Sequence, residues 1–421
     1  MASDTSVGFT RSLTTLLTGT VLAQAIPFLA APVIARLFGA PQFALFGGMI
    51  AVFNVLSVLV TGRYELAVMV PKERSEAAHL VRGGLLFCVL ASVGIYGLLL
   101  AFHRPLELHT GIVSLHNVLA VLALLALFAG TQQVVQQWLL RERAFKAMAQ
   151  VKVVQALGIT ALTLLAGWLG WKEGLVLGYL GGWLLFAGAT VFLMMRTAPL
   201  PDAWDRRRSL NALAHYKDWP LHNAWPALLN AMASGGAVIY MGLFYNAETA
   251  GQHNFARQYL LVPISMVTVA LGQVVFERMS SRIRERQAIG SELRRIVYAL
   301  VLLALAGGLV VTLAGPWLFD LVFGAQWSYA GTASRILIWG YAMQLVASPL
   351  GVVLLALGRV KLTMVFPLIY GVLMVLPFFA RHMEAMQFMT LLAAIEVVAY
   401  GAYLVLVRSA VRAYDQSLVN A

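Results

Sequence analysis

Long apolar runs alternate with short polar breaks along almost the whole chain, and the runs recur at the length needed to cross a bilayer. Reading for about 20 consecutive apolar residues predicts twelve helical spans, near 12–36, 41–68, 80–102, 114–139, 152–170, 174–196, 221–244, 253–276, 294–316, 333–357, 361–380 and 387–408. Spans 5 and 6 are separated only by the hairpin Gly170–Gly174. Polar positions inside the spans fall in stripes. In span 2, Asn54, Ser57, Thr61 and Glu65 stand at i, i+3, i+7 and i+11, which is one helix face. Span 8 carries Asn254, Arg257, Gln258, Ser265 and Thr268 on one face, span 7 offers Asn223, Asn230 and Ser234, and span 1 offers Thr20, Gln24 and the kink-prone Pro27. Lipid cannot satisfy such groups, so these faces are expected toward protein or a water-filled cavity. Hydrogen bonding between helices accounts for the neutral residues equally well.

The ionised positions narrow the choice, because charge at membrane depth costs a few kcal/mol per group and marks functional candidates. In the stretch Thr61–Arg74, TGRYELAVMVPKER, Arg63 and Glu65 lie roughly 33 Å along span 2, close to its inner end. There Arg63 can snorkel and Glu65 can pair with a loop cation. Arg257 needs an anion or water, either a substrate phosphate or an acidic neighbour. Arg335, near the outer start of span 10, either snorkels or faces the cavity. Glu396, in the middle of span 12, has no basic residue within a turn of its own helix. It is open to four readings: a protonated acid, a partner of Arg257 or Arg335, part of a proton or cation site, or a plain packing contact.

Composition agrees with a chain whose main solvent is lipid. Hydrophobic residues make up 60% and charged residues only 11%, against about 25% charged in an average soluble domain. The formal charge of +12 sits in short loops, which is a sorting signal and not a groove for phosphates, so nucleic acid is not an expected partner. With the N-terminus inside, 24 of the 30 Lys and Arg residues fall on one side of the alternating spans. That asymmetry predicts cytoplasmic N- and C-termini. Trp168, Trp171, Trp317 and Trp327, near outer span ends, fit an interfacial aromatic belt. The single cysteine, Cys88, permits no intramolecular disulfide, and the scattered histidines show no metal-ligand spacing, so neither metal nor cofactor is expected. The first apolar run has no cleavage box after a short core, so no cleavable signal peptide is expected.

The longest polar segment, Thr197–Pro220, lies mid-chain with six spans on either side. This predicts an N-terminal six-helix bundle over 1–196, a cytoplasmic linker over 197–220 and a C-terminal six-helix bundle over 221–421. Internal symmetry points the same way. Spans 1 and 2, joined through FGAPQFALFGG, resemble spans 7 and 8, joined through YNAETAGQHNF, and both second spans end in a charged boundary, GRYELAVMVPK against GQVVFERMSSR. Gln132, Gln133, Gln136 and Gln137 close span 4 ahead of the basic amphipathic RERAFKAMAQVK, which is either a surface-lying segment or a helix extension.

Three stretches carry a family resemblance: GRYELAVMVPK after span 2, QQWLLRERAFKAMAQVKVVQ (Gln136–Gln155), and LVFGAQWSYAGTASRILI between spans 9 and 10. They resemble polysaccharide exporters of the O-antigen flippase type, in the multidrug/oligosaccharidyl-lipid/polysaccharide (MOP) exporter superfamily. The resemblance implies an all-α polytopic membrane protein with twelve transmembrane helices in two six-helix bundles around a central cavity. It implies a bacterial inner-membrane flippase for an undecaprenyl-diphosphate-linked oligosaccharide, an O-antigen or exopolysaccharide repeat unit, moved between leaflets by alternating access. Membrane lipids, a polysaccharide polymerase and other assembly proteins are the implied partners. The family's cavity is typically cationic. Here Arg36, Arg63, Arg257 and Arg335 are the arginines available to a diphosphate, with Gln24, Asn54 and Asn230 for sugars and Glu65 and Glu396 as titratable candidates for ion coupling. An ion-coupled antiporter for drugs or metabolites resembles another branch of the superfamily, but acidic groups would be expected to dominate its cavity. A polysaccharide polymerase or ligase would need a sizeable outer loop and a catalytic constellation, and none is evident.

Overall fold

A computed structural model of the chain describes residues 23–110, 115–201 and 203–419, without the side chains of 102–110, 115–118 and 419. The described residues are helical throughout, with no strand. Eleven segments are long and apolar enough to cross a bilayer. The first predicted span begins outside the described residues, Thr20 among them, and its described part is helix α1, Ala23–Leu37.

The chain divides into two compact units. The first holds α1, the greater part of α2 (Ala40–Thr61, from Leu45 onward), the short α3 (Tyr64–Ala67), α4 (Arg74–Thr110), α5 (Leu115–Arg141), α6 (Phe145–Trp168), α7 (Gly174–Thr197) and α8 (Arg206–His215). Helix α9 (Asp218–Phe244) is divided after Gly235. Trp138 is wholly buried in this core and donates its indole N–H to the Ala198 carbonyl at 2.7 Å. Helices α6 and α7 approach through a row of small residues. A Cβ at Gly178 would stand 2.3 Å from the Thr163 hydroxyl, and one at Gly182 would stand 2.1 Å from the Ile159 side chain. Such spacing lets backbones touch where lipid supplies no hydrophobic drive.

The second unit holds Gly39–Ala44 and everything from Gly236. Its elements are α10 (Ala247–Arg284), α11 (Gly290–Phe323), α12 (Ser328–Ala347), α13 (Val352–Ala356), α14 (Val365–Leu373), α15 (Leu376–Phe379) and α16 (Ala385–Val419). Phe43 lies edge-on to Phe255 and to Trp327, with ring centroids 5.0 and 5.2 Å away, and Phe255 stacks on Trp327 at 3.6 Å. Asn254 donates to the Phe43 carbonyl at 2.9 Å. Gln252 both donates to the Gln326 carbonyl at 2.7 Å and accepts from the Ala330 N–H at 3.0 Å. The sequences FGAPQF, AGQHNF and FGAQWS are therefore interlocked scaffolding, and Asn254, expected on a polar stripe, is spent on it.

Two differences from the sequence reading have local causes. Span 2 ends at Thr61 and not at 68, because Gly62 (φ +54°) and Arg63 (φ +64°) are both left-handed and turn the chain before α3. Spans 10 and 11 are not continuous helices. Tight 3₁₀ turns interrupt them at Ser348–Gly351 and Val360–Met364, and α14 breaks again after Leu373. Pro349 and Pro377 each sit at the start of the piece that follows a break, where a missing N–H costs least.

Candidate functional site

The broken helices of the second unit frame the most unusual polar cluster in the described residues. Glu396 lies on α16, about 17 Å along the helix from Ala385. One carboxylate oxygen accepts the Tyr370 hydroxyl at 3.1 Å; the other has no hydrogen-bond partner among the described residues. Gly340 makes the position possible: a Cβ there would come within 2.9 Å of the Glu396 Cβ, so α12 and α16 close together at this level. Arg257, from α10, is the cation that acts on Glu396 and on Tyr341, Tyr370 and Tyr400 around it. Phe366 completes an aromatic wall, with centroids 5.7 Å from Tyr370 and 4.7 Å from Tyr400.

Breaking α14 leaves carbonyls that the next turn would have used, and the Tyr240 hydroxyl answers one of them by donating to the Met374 carbonyl at 2.9 Å. Discontinuous helices of this kind are where transporters place polar groups at membrane depth. A carboxylate with one free oxygen, a nearby guanidinium and hydroxyl-bearing walls can take up a proton or a small cation, and can exchange the guanidinium with an incoming anion. No group of three or more His, Cys, Asp or Glu residues gathers among the described residues.

The other sequence-predicted residues lie elsewhere. Arg36, exposed on α1, donates to the Pro32 carbonyl one turn back at 3.1 Å. Gln24 is half-buried on the same helix, and Asn54 and Asn230 are exposed on α2 and α9. Arg335, exposed about two turns into α12, donates to the Thr312 carbonyl at 2.7 Å. Arg257 and Glu396 are thus the two residues from the predicted set that the second unit brings together. Sequence reasoning missed Tyr341, Tyr370 and Tyr400. The i, i+4, i+7 spacing of Glu396, Tyr400 and Tyr403, opposite the proline-punctuated run 361–380, was the available signal.

In the first unit Arg63 and Glu65 meet each other, 3.4 Å apart, in the turn beyond α2. Glu65 is buried, and burial holds its carboxyl above the usual range, opposed by the Thr61 side chain and the Arg63 charge. The surrounding motif is a clasp. Arg141 donates to the carbonyls of Val68 at 3.1 Å and Pro71 at 2.7 Å, and Arg74 forms a 2.9 Å ion pair with Glu142. Arg82 holds the Pro201 carbonyl at 2.7 Å, the Tyr64 hydroxyl donates to the Leu213 carbonyl at 3.2 Å, and the Tyr216 hydroxyl donates to Glu76 at 3.1 Å. GRYELAVMVPKER, QQWLLRER and the segment through α8 are therefore fastened to one another.

Comparison with known proteins gives this geometry a lineage. Residues 33–331 match the family model described as polysaccharide biosynthesis protein. A search of curated proteins finds none that matches. Among solved structures, the lipid II flippase MurJ in an inward closed conformation is similar with a TM-score of 0.72 at 12% identity, over 96% of this chain and 90% of that one. An inward-facing multidrug resistance MATE family transporter of the MOP superfamily gives 0.68 at 13% identity, over 95% and 96%. A MOP superfamily transporter from Pyrococcus furiosus gives 0.58 at 14%, over 96% of each. At these identities the likeness is one of fold. The chain is a multi-pass, all-helical membrane protein with the fold of the MOP transporters, and it belongs to the polysaccharide biosynthesis protein family.

Proposed function

We propose that this protein is a flippase that carries an undecaprenyl-diphosphate-linked oligosaccharide from the inner to the outer leaflet of the bacterial cytoplasmic membrane. The observation that carries the reading is membership of a polysaccharide biosynthesis family on a transporter fold. In this reading the two bundles, over 1–196 and 221–421 with a cytoplasmic linker between them, rock by alternating access, and both termini lie inside. Arg257 contacts the diphosphate, whose compact charge lipid will not accept and whose oxygens suit a permanently charged, bidentate donor. Glu396 is its counter-ion in the empty state. An anion that takes Arg257 releases Glu396 to bind a proton or cation, which couples the two events. Arg36, Arg63 and Arg335 serve the substrate's passage, and Gln24, Asn54 and Asn230 meet sugar hydroxyls.

The test is a flipping assay with purified protein in liposomes holding a fluorescent undecaprenyl-diphosphate oligosaccharide, read by an added glycan-cleaving enzyme. The protein should expose the inner-leaflet half without leak. Arg257→Ala should abolish this at normal protein level while Arg257→Lys keeps part of it; full activity of the Ala variant removes Arg257 from the mechanism. Movement of a cationic dye under an ion gradient, with the glycolipid confined to one leaflet, would replace the flippase by an ion-coupled antiporter. The free Glu396 carboxylate oxygen is the feature that suits that second reading.

A further inference from the structure

In the second unit a cleft of about 400 Å³ opens between the first turns of α11 and the last turns of α16. Arg294, Arg408 and Arg412 line it with Tyr298, Leu404 and Val405. The arginines converge because 408 and 412 share one face of α16 at i, i+4, while 294 and 298 share the facing side of α11. All three are exposed, and none is paired with a carboxylate among the described residues. The nearest acids are already engaged. Asp415, also in the lining, accepts the backbone N–H groups of Ile289 and Gly290 through its two oxygens, 2.9 Å each, capping the start of α11. Glu292 is buried and taken by Arg278 at 2.7 Å and Arg282 at 3.6 Å. With three guanidinium groups set against the single Asp415 carboxylate, the cleft keeps an excess of positive charge.

Its surroundings are apolar. Tyr298 and Val405 are 65% and 67% exposed, and Tyr298 begins a stripe of exposed side chains along α11 through Leu302, Leu305 and Leu309. That stripe runs from the cleft into the span. Helix α11 has 34 residues, about 51 Å, which is longer than the roughly 30 Å hydrocarbon core, and its first turns carry Glu292, Arg294 and Arg295 ahead of an uncharged run over 296–319, which places those turns in the headgroup zone. Three guanidinium groups at headgroup depth, an amphipathic tyrosine at their edge and a greasy track leading away are complementary to one kind of molecule. We propose that this cleft is a binding site for the phosphodiester headgroup of an anionic membrane phospholipid, with an acyl chain lying along the α11 stripe. The site is separate from the Glu396 cluster and does not depend on the flippase reading.

The test uses the full chain in zwitterionic micelles with phosphatidylglycerol added, and native mass spectrometry counts retained lipid. Wild-type protein should retain phosphatidylglycerol at least tenfold better than phosphatidylcholine, and Arg294→Gln with Arg408→Gln and Arg412→Gln should remove that preference. A variant with the same loss of charge on the linker, Arg206→Gln with Arg207→Gln and Lys217→Gln, should keep it. If the triple cleft variant does not fold, Arg412→Gln alone should weaken retention several-fold. Equal retention by cleft variant and wild type, equal loss in the linker variant, or displacement of the lipid by equimolar inorganic phosphate would each overturn the proposal.

Discussion

A carboxylate in a membrane protein is defined by what stands opposite it. Glu65 and Glu396 look alike in the sequence, each an acid in an apolar run, yet one closes on a neighbour two residues away and the other waits among tyrosines. Glu65 lies beyond the end of its span, and burial raises its carboxyl above the ordinary 4.5. A carboxyl raised on folding adds stability that is full below the ordinary value and lost as pH rises through the native one. Thermal unfolding across pH should show the wild type losing ground to Glu65→Gln as pH climbs from 4.5, by up to about 1.4 kcal/mol per pH unit within the window. Parallel curves would refute the assignment. For Glu396 the contrast is kinetic. On the proposed flippase reading, Glu396→Gln should slow flipping at least tenfold and flatten its pH dependence, whereas Tyr370→Phe, which keeps the carboxylate and removes one hydrogen bond to it, should slow flipping less and leave the pH dependence in place. The charges were legible as charges; their partners were not, because a hydroxyl on another helix leaves no mark on the local pattern.

Whole helices were more legible than their interruptions. Hydropathy located the apolar runs because each must cover a fixed thickness of hydrocarbon. It could not show that the span after Arg359 is broken, since Val360–Met364 is as apolar inside a 3₁₀ turn as in a helix. The resemblance motifs are a similar case. GRYELAVMVPK and QQWLLRER carry the family resemblance, and the structure shows them clasping each other. Arg141 is the keystone, because its guanidinium satisfies carbonyls of a segment that has left helical geometry. Arg141→Ala should destabilise the first unit by about 2–4 kcal/mol, from lost charge-assisted bonds and exposed acceptors. Limited trypsin treatment reads this directly: cleavage after Lys72 or Arg74 should speed up, and an unchanged digestion pattern would dismiss the clasp.

At the scale of the molecule, the asymmetry of Lys and Arg is a statement about orientation that labelling can check. The lone Cys88 is buried, so Cys88→Ala gives a silent background. On it, Lys172→Cys should react with an impermeant maleimide added to intact cells, and Arg206→Cys should react only after the membrane is opened. The reverse result would turn the protein over and move the arginine cleft of α11 and α16 to the other leaflet. The membership of Gly39–Ala44 in the second unit was not legible in the sequence, because it depends on Gly251, where an added Cβ would stand 1.8 Å from the Ala40 carbonyl oxygen.

The glycine contact between α6 and α7 also bears on how the protein is made. Two helices joined by the tight hairpin after Gly170, with backbones in contact at Gly178 and Gly182, can satisfy each other before any later helix exists. They can therefore leave the translocon together as a finished pair. A bulkier residue at Gly182 would then act during biogenesis, releasing two separate helices into lipid, and its mark would be a chain cleared by quality-control proteases before transport could be assayed.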